Sequence, residues 1–455
     1  MDIPPQLQAR LPDWDDQRAV RRAVLRLALP IVGSDLLQRG VANVADALLV
    51  GRLGAEALAA VGLSQLLLMF TLALVQGLSV GTTVMVAFHT GATDERRRAW
   101  AVRASILIGI AATVVLGGAG SLLSRHVAVF MGARGELLDL TLEYLGIIWV
   151  LFGAFVFLHL ASAIFQGAGD TRTPLRAMVW VNLLHVAMAV PLIFGLAGLP
   201  RMGVAGAALA SGISEGAGAA WLFWQAGRRG LLGQGWGLWN LHEMARILRV
   251  GVPAVGERVL THGMQLVFAR IVIGFGVAAY AAHQVGLNIE SMSWIPGLGF
   301  AKATTTLVGQ RLGARDADGA HRCARQAILL AVAIMSVWAA AFVLFPRLWV
   351  ILFTSDTDVL DYSVPLMTTI GLLQPPLAIA MVVSGALRGA GETHVPLAAA
   401  IVGGWLVRLP AAYFGGVVAN LGMTVVWTTM VIDWIVRCGI VSWRFRRLSM
   451  QRVRL

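Results

Sequence analysis

Charged residues are scarce in this chain. Only 13% of its 455 residues are Asp, Glu, Lys or Arg, roughly half the ~25% of an ordinary soluble domain. Lysine is reduced to a single residue, Lys302. Cysteine is nearly absent, and Cys323 and Cys438 offer neither a disulfide framework nor a metal-ligand spacing. The nine histidines form no His-x-x-x-His pattern. No phosphate loop or nucleophile elbow occurs either, which argues against an enzyme. These absences exclude a disordered tail, a disulfide scaffold and most soluble multidomain enzymes.

Apolar residues abound instead: 58% of the chain is hydrophobic. A helix needs ~20 mostly apolar residues to cross a bilayer, and such stretches recur along the whole chain. Twelve are read, at 25–50, 57–88, 99–124, 140–167, 174–198, 203–226, 245–273, 279–310, 319–346, 360–388, 395–418 and 421–443. The first 24 residues are hydrophilic and do not read as a secretory signal. The expected fold class is an all-α polytopic membrane protein.

The net charge of +12 invites a nucleic-acid reading, but the arginines are dispersed in short clusters between apolar segments. With both termini in the cytoplasm, 25 Lys and Arg fall on that side and five on the other (Arg52, Arg125, Arg134, Arg201, Arg347). The remaining six (Arg39, Arg258, Arg270, Lys302, Arg408, Arg437) lie within spans. This bias sets the orientation and explains the charge without a nucleic-acid partner.

The chain also repeats itself. Gly167-Ala-Gly-Asp-Thr-Arg-Thr-Pro-Leu175 returns as Gly389-Ala-Gly-Glu-Thr-His-Val-Pro-Leu397, with six of nine positions identical. Arg26, Pro30, Gly33 and Gly40 recur as Arg249, Pro253, Gly256 and Gly263. Six spans in each half, an even number, make the two halves parallel repeats related by an axis along the membrane normal. The expected organisation is a cytoplasmic tail (1–24), a first six-helix lobe (25–226), a linker (227–244), a second six-helix lobe (245–446) and a second tail (447–455).

Ionisable residues inside spans are costly and face a bundle interior or a wet cavity. In span 1, Asp35, Arg39, Asn43 and Asp46 share one narrow stripe, roughly 80° wide at about 100° per residue. Asp35 and Arg39 are spaced to pair. Asp46 has no cation one turn away and is expected to be a lone carboxyl able to exchange protons. Its repeat counterpart is Ala269, so coupling is expected in the first lobe. Span 7 offers Glu257, Arg258, His262 and Gln265, span 8 adds Glu290 and Lys302, and span 12 adds Asp433. These are candidates for cavity lining or lobe packing. His185 and His262 are read as core histidines rather than proton shuttles. Pro30, Pro191, Pro253 and the pair Pro375-Pro376 interrupt spans and are candidate hinges.

The ordered motifs resemble those of the multidrug and toxic compound extrusion (MATE) family over nearly the full length. They include Ala45-Asp-Ala47 with Gly51-Arg-Leu-Gly54, Gln166-Gly-Ala-Gly-Asp-Thr-Arg-Thr-Pro174, Ala281-Ala-His-Gln284 and Leu307-Val-Gly-Gln-Arg-Leu-Gly-Ala314. The resemblance implies two six-helix bundles in a V around a central cavity, without a cofactor. It implies efflux of amphipathic, often cationic organic compounds in exchange for H⁺ or Na⁺. It places the coupling ion on Asp46, with Asn182 and Ser211 as neighbours. A second Asp found in some members is replaced here by Val186. Positions that carry a Glu and an Asp in NorM-like members are Thr261 and about Leu377, which points to the DinF-like branch and to first-lobe coupling.

The expected function is therefore a monomeric, proton-coupled multidrug antiporter of the inner membrane, working among lipids on small organic molecules. The rivals are a Na⁺-coupled exporter of the same family and a lipid-linked sugar flippase, for which Arg258 and Lys302 speak.

Overall fold

The computed structural model describes residues 16–38, 42–196, 198–233 and 240–448. Among them helices, joined by short turns and loops, are the regular structure. The described parts of the first pass are α1 (Gln17–Leu36) and α2 (Ala42–Val50), followed by α3 (Ala55–Gly91) and α4 (Glu95–Phe130). The fourth pass is α5 (Gly135–Val150) and α6 (Phe152–Gly167), bent by 51° at Leu151. Then come α7 (Arg172–Phe194), α8 (Gly203–Arg228), α9 (Leu241–Ile273), α10 (Val277–Gly313) and α11 (Ala317–Leu344). A short α12 (Pro346–Ile351) precedes α13 (Thr357–Gly389), α14 (His394–Val418) and α15 (Met423–Arg447). Within α14, Ile401–Arg408 and Ala412–Val418 are wound as π-helix.

This is an all-α polytopic membrane protein. Seven of the described helices are alone long and apolar enough to cross a bilayer, and the bent α5–α6 pair is an eighth. The other passes are poorer in hydrophobicity for visible reasons. α8 is rich in glycine, while α9 carries Glu257 and Arg258 and α10 carries Glu290 and Lys302.

The internal repeat is written into the backbone. Thr83 Oγ1 on α3 donates to the Ala163 carbonyl at 3.3 Å, and Thr305 Oγ1 on α10 donates to the Gly385 carbonyl at 2.9 Å. Asp94 caps α4 by accepting from the Arg97 N–H, and Asp316 caps α11 by accepting from the Gly319 N–H. Gly169 and Gly391, in the duplicated motif, both adopt positive φ, 83° and 80°. That conformation is open to glycine and strained for other residues.

The compact units cut across the lobes drawn from sequence at 25–226 and 245–446. One unit is Gly33–Val255; the other is the chain up to Val32 together with Gly256–Leu455. The cuts fall at equivalent points of the two repeats, so each unit holds the first half of the other repeat's first pass. Two equivalent glycines permit this. A Cβ at Gly77 would lie 2.6 Å from Val255, and one at Gly299 would overlap Val32. Hydropathy marks where a chain crosses a membrane, not which neighbour each half of a crossing touches.

The core of the Gly33–Val255 unit includes Met85, Val102, Ile164, Phe165, Leu222 and Ile247. That of the second includes Val24, Ile31, Phe268, Phe300, Phe342 and Trp427. In the first unit, Glu243 at the start of α9 meets His89 of α3 at 3.2 Å inside the fold. This tie joins the linker region to a helix end distant in sequence.

The loop before α7 is held by one carboxylate. Asp170 accepts from the Arg172 and Thr173 N–H groups at 3.1 Å and from Thr173 Oγ1 at 2.6 Å, and it pairs with Arg229. Burial alone would raise its pKa, but the Thr173 hydrogen bonds and the Arg229 guanidinium outweigh burial and hold it below the usual carboxylate value. A lowered folded-state pKa contributes stability above the unfolded value of ~3.9 that is lost as pH falls. We expect Asp170→Ala to cost about 1 kcal/mol at neutral pH. Thermal unfolding in detergent between pH 7 and 3.5 checks this: the gap between wild type and variant must narrow as pH falls.

Candidate functional site

The first unit gathers its polar side chains on α2, α5, α7 and α8. Asp46 on α2 is 4% exposed, and its Oδ1 lies 2.8 Å from Nε2 of His185 on α7. The His185 ring also reaches the Ala210 carbonyl of α8. Asn182, one turn before His185, donates Nδ2 to the Met178 carbonyl at 2.8 Å. Its Oδ1 is buried with no hydrogen-bond partner among the described residues. Ser211 donates to the Ala207 carbonyl at 3.1 Å and stands beside the Tyr144 hydroxyl of α5. Tyr144 in turn lies within electrostatic range of Asp46. Glu215, one turn beyond Ser211, lies within electrostatic range of His185.

Asp46 is thus not the lone carboxyl expected from span 1. Its partner comes from a helix far along the chain, and that partner is the histidine read as a core residue. Asp35 and Asp46 are both buried, and residues 39–41 between them lie outside the described residues. Arg39 and the side chain of Asn43 fall outside the described residues, and with them the expected Asp35–Arg39 pair. Tyr144 and Glu215 were missed by sequence reasoning. Glu215 had a signal, an acid inside the glycine-rich sixth pass; Tyr144 had none.

The chemistry of the Asp46–His185 contact follows from donor counting. If one ring nitrogen donates to the Ala210 carbonyl, the other has no proton unless the imidazole is charged. A contact of 2.8 Å then needs one shared proton, as imidazolium with carboxylate or as neutral imidazole with carboxylic acid. Without that proton, a carboxylate faces a bare nitrogen lone pair, and the contact opens.

The second unit has a separate buried cluster. Arg437 pairs with Asp433 at 2.5 and 3.1 Å, and Arg408 sits 3.9 Å from Asp433 and 3.9 Å from the Phe268 ring centroid. Glu290 accepts from the Trp294 indole N–H at 3.0 Å. Both arginines therefore have an acidic neighbour, as charge in an apolar interior requires.

The span 7 candidates separate from this cluster. Glu257 is paired with Arg388 at 2.7 and 2.8 Å. Thr261 donates to the Glu257 carbonyl at 2.7 Å. His262 meets Gln265 at 3.2 Å, toward the exposed side. Arg258 and Lys302 are half-buried on α9 and α10. The proline candidates all lie inside helices, and α1 continues six residues past Pro30. The bend within the fourth pass, at Leu151, involves none of them.

Two helical repeats, each with its own buried polar cluster, make an internally duplicated polytopic membrane protein. The MatE family model matches residues 30–191 and again 253–414. The chain belongs to the MatE family of multidrug and toxic compound extrusion transporters. It is 32% identical over 428 residues to a probable multidrug resistance protein NorM of Thermotoga maritima, covering 92% of this chain and 90% of that one. It is 28% identical to the multidrug resistance protein NorM of Burkholderia vietnamiensis, covering 92% of each chain. Among solved structures it resembles a MATE protein in a bent conformation, with TM-score 0.85, 25% identity and coverage of 95% and 96%. It also resembles an outward-facing multidrug resistance MATE transporter, with TM-score 0.84, 25% identity and coverage of 94% and 95%.

Breaking one partner of a buried polar pair strands the other. We expect Asp46→Ala or His185→Ala alone to cost ~3–5 kcal/mol, and the double variant to cost clearly less than the sum. A double-mutant cycle of thermal or denaturant unfolding in detergent checks this; additive losses would show that the two side chains do not act as a pair.

Proposed function

We propose that this protein is a secondary antiporter that exports amphipathic, often cationic organic compounds in exchange for inward H⁺, with Asp46 as the coupling carboxylate. The observation that carries the reading is the buried Asp46–His185 contact at 2.8 Å. With the Ala210 carbonyl taking the other ring N–H, the pair needs one shared proton to stay closed and acts as a proton-operated latch between α2 and α7. The multidrug resistance names of the relatives support the substrate class.

In this reading, alternating access turns proton binding into release. Facing outward, the pair takes a proton, which neutralises its net charge and lowers the cost of burying it. The latch closes, α2 is drawn against α7, and the first pass bends in the region of Pro30, so the cationic substrate leaves. Facing inward, loss of the proton restores a negative charge that favours the next cation. The arginine distribution supports placement in the inner membrane with both termini in the cytoplasm.

A Na⁺-driven version is favoured by one observation. Asn182 Oδ1 and Glu215 Oε2 are buried acceptors without hydrogen-bond partners among the described residues, and such oxygens suit a hard cation. Proteoliposomes given separate pH and Na⁺ gradients decide between the ions. We expect the pH gradient to drive ethidium efflux and Asp46→Asn to reduce that efflux by at least about 100-fold, the scale of a lost essential acid–base group. Undiminished pH-driven efflux in Asp46→Asn would overturn the assignment.

A further inference from the structure

The first-unit cluster holds one more ionisable side chain than a one-proton cycle uses. Glu215 sits on α8 one turn from Ser211, and its Oε2 is buried with no hydrogen-bond partner among the described residues. The charge that acts on it is His185. Four helices pack against α8, namely α2, α5, α6 and α7. On α7, His185 stands near mid-helix, whereas Arg172 and Arg176 lie in its first turns. On α5, Tyr144 lies past the middle, whereas Glu136 and Asp139 lie near the start, and Glu136 and Glu143 line a surface groove with Arg201. On α6, His159 is engaged by Gln38 at 3.3 Å and by the Phe155 carbonyl at 3.0 Å. On α2 the titrating group is Asp46.

Charge counting then sets the proton number. With both carboxyls ionised and the imidazole neutral, Asp46, His185 and Glu215 carry −2. One proton, shared in the Asp46–His185 contact, brings the trio to −1. A second is needed to reach zero, and an interior of low dielectric favours the neutral state strongly. The Asp46–His185 contact already holds its proton, so the second resides on Glu215, whose unpartnered oxygen leaves room for an O–H bond.

We propose that Glu215 is a second proton-carrying residue, so that the first unit takes up two protons per transport cycle. The inference rests on the H⁺-antiport reading above. On the outward side, one proton forms the shared Asp46–His185 bond and another forms an O–H bond at Glu215. On the inward side, both bonds release their protons to water. Exchange of one monovalent cation for two protons moves one net positive charge inward, so a potential negative inside drives export.

The test uses the full chain in proteoliposomes with ethidium, a permanently charged monovalent cation. A pH gradient of one unit is imposed with the membrane potential clamped at zero, and the ethidium ratio at which net flux reverses is measured. Two protons per ethidium balance at a ratio of about 100, and one proton balances at about 10, since each tenfold step equals one pH unit. We expect wild type to reverse near 100, Glu215→Gln near 10, and Glu215→Asp near the wild-type ratio. Wild type reversing near 10, or Glu215→Gln still reversing near 100, would overturn the proposal.

If Glu215→Gln folds but transports too slowly to measure, infrared spectroscopy of the purified variant supplies the answer. It must lose one protonated-carboxyl band present in wild type, and retention of that band would overturn the assignment. If Glu215→Gln does not fold, Glu215→Asp decides the matter: it must keep both the band and the ratio near 100, and loss of either would overturn the proposal. Failure of the antiport reading looks different. It appears as no pH-driven ethidium flux in wild type, whereas pH-driven flux with a one-proton ratio fails only the Glu215 assignment.

Discussion

A charge taken into hydrocarbon must find a partner or give up its charge, and this constraint shapes the protein from end to end. It explains the scarcity of charged residues and the acidic neighbours of Arg408 and Arg437 inside the fold. Arg408 and Arg437 flank Asp433. Glu257 is matched by Arg388. Asp46 differs because its partner, His185, titrates near neutral pH when unperturbed. A carboxylate held by arginine is a fixed structural tie, since arginine keeps its proton. A carboxyl held by histidine is one whose closure depends on the medium.

The two repeats use the same local devices and diverge in their cargo of polar groups. The threonine-to-carbonyl crossings, the Asp caps and the positive-φ glycines recur at equivalent positions of the two halves. These satisfy backbone groups and set close approach between helices, requirements both halves share. The polar clusters are not duplicated: the first unit gathers Asp46, His185 and Glu215, and the second gathers Glu290, Arg408, Asp433 and Arg437. Duplication supplied a scaffold twice, and each copy carries a different set of polar side chains.

Much of the fold was legible in sequence because the bilayer enforces it. With no water to satisfy backbone polar groups, an apolar stretch of sufficient length becomes a helix. The duplicated Gly-Ala-Gly-Asp-Thr-Arg-Thr-Pro-Leu motif revealed the two halves, and the family follows from the same residues. The division into units was not legible. That Val32 packs at Gly299 and Val255 at Gly77 depends on which helix lies alongside, and hydropathy is blind to neighbours.

The site divides in the same way. Read along the chain, Asp46 is already an intramembrane acid, Asn182 and Ser211 accompany it by family resemblance, and its repeat counterpart, Ala269, is apolar. Periodicity along a single helix measures only what lies within a turn or two, so it left Asp46 without a partner. It took the packed helices to bring His185, 139 residues away, to 2.8 Å from it, and to set Tyr144 and Glu215 in the same interior. The physical reason is that in a bundle a buried polar group can find its partner across a helix interface, as Asp46 does in His185, where sequence separation carries no information.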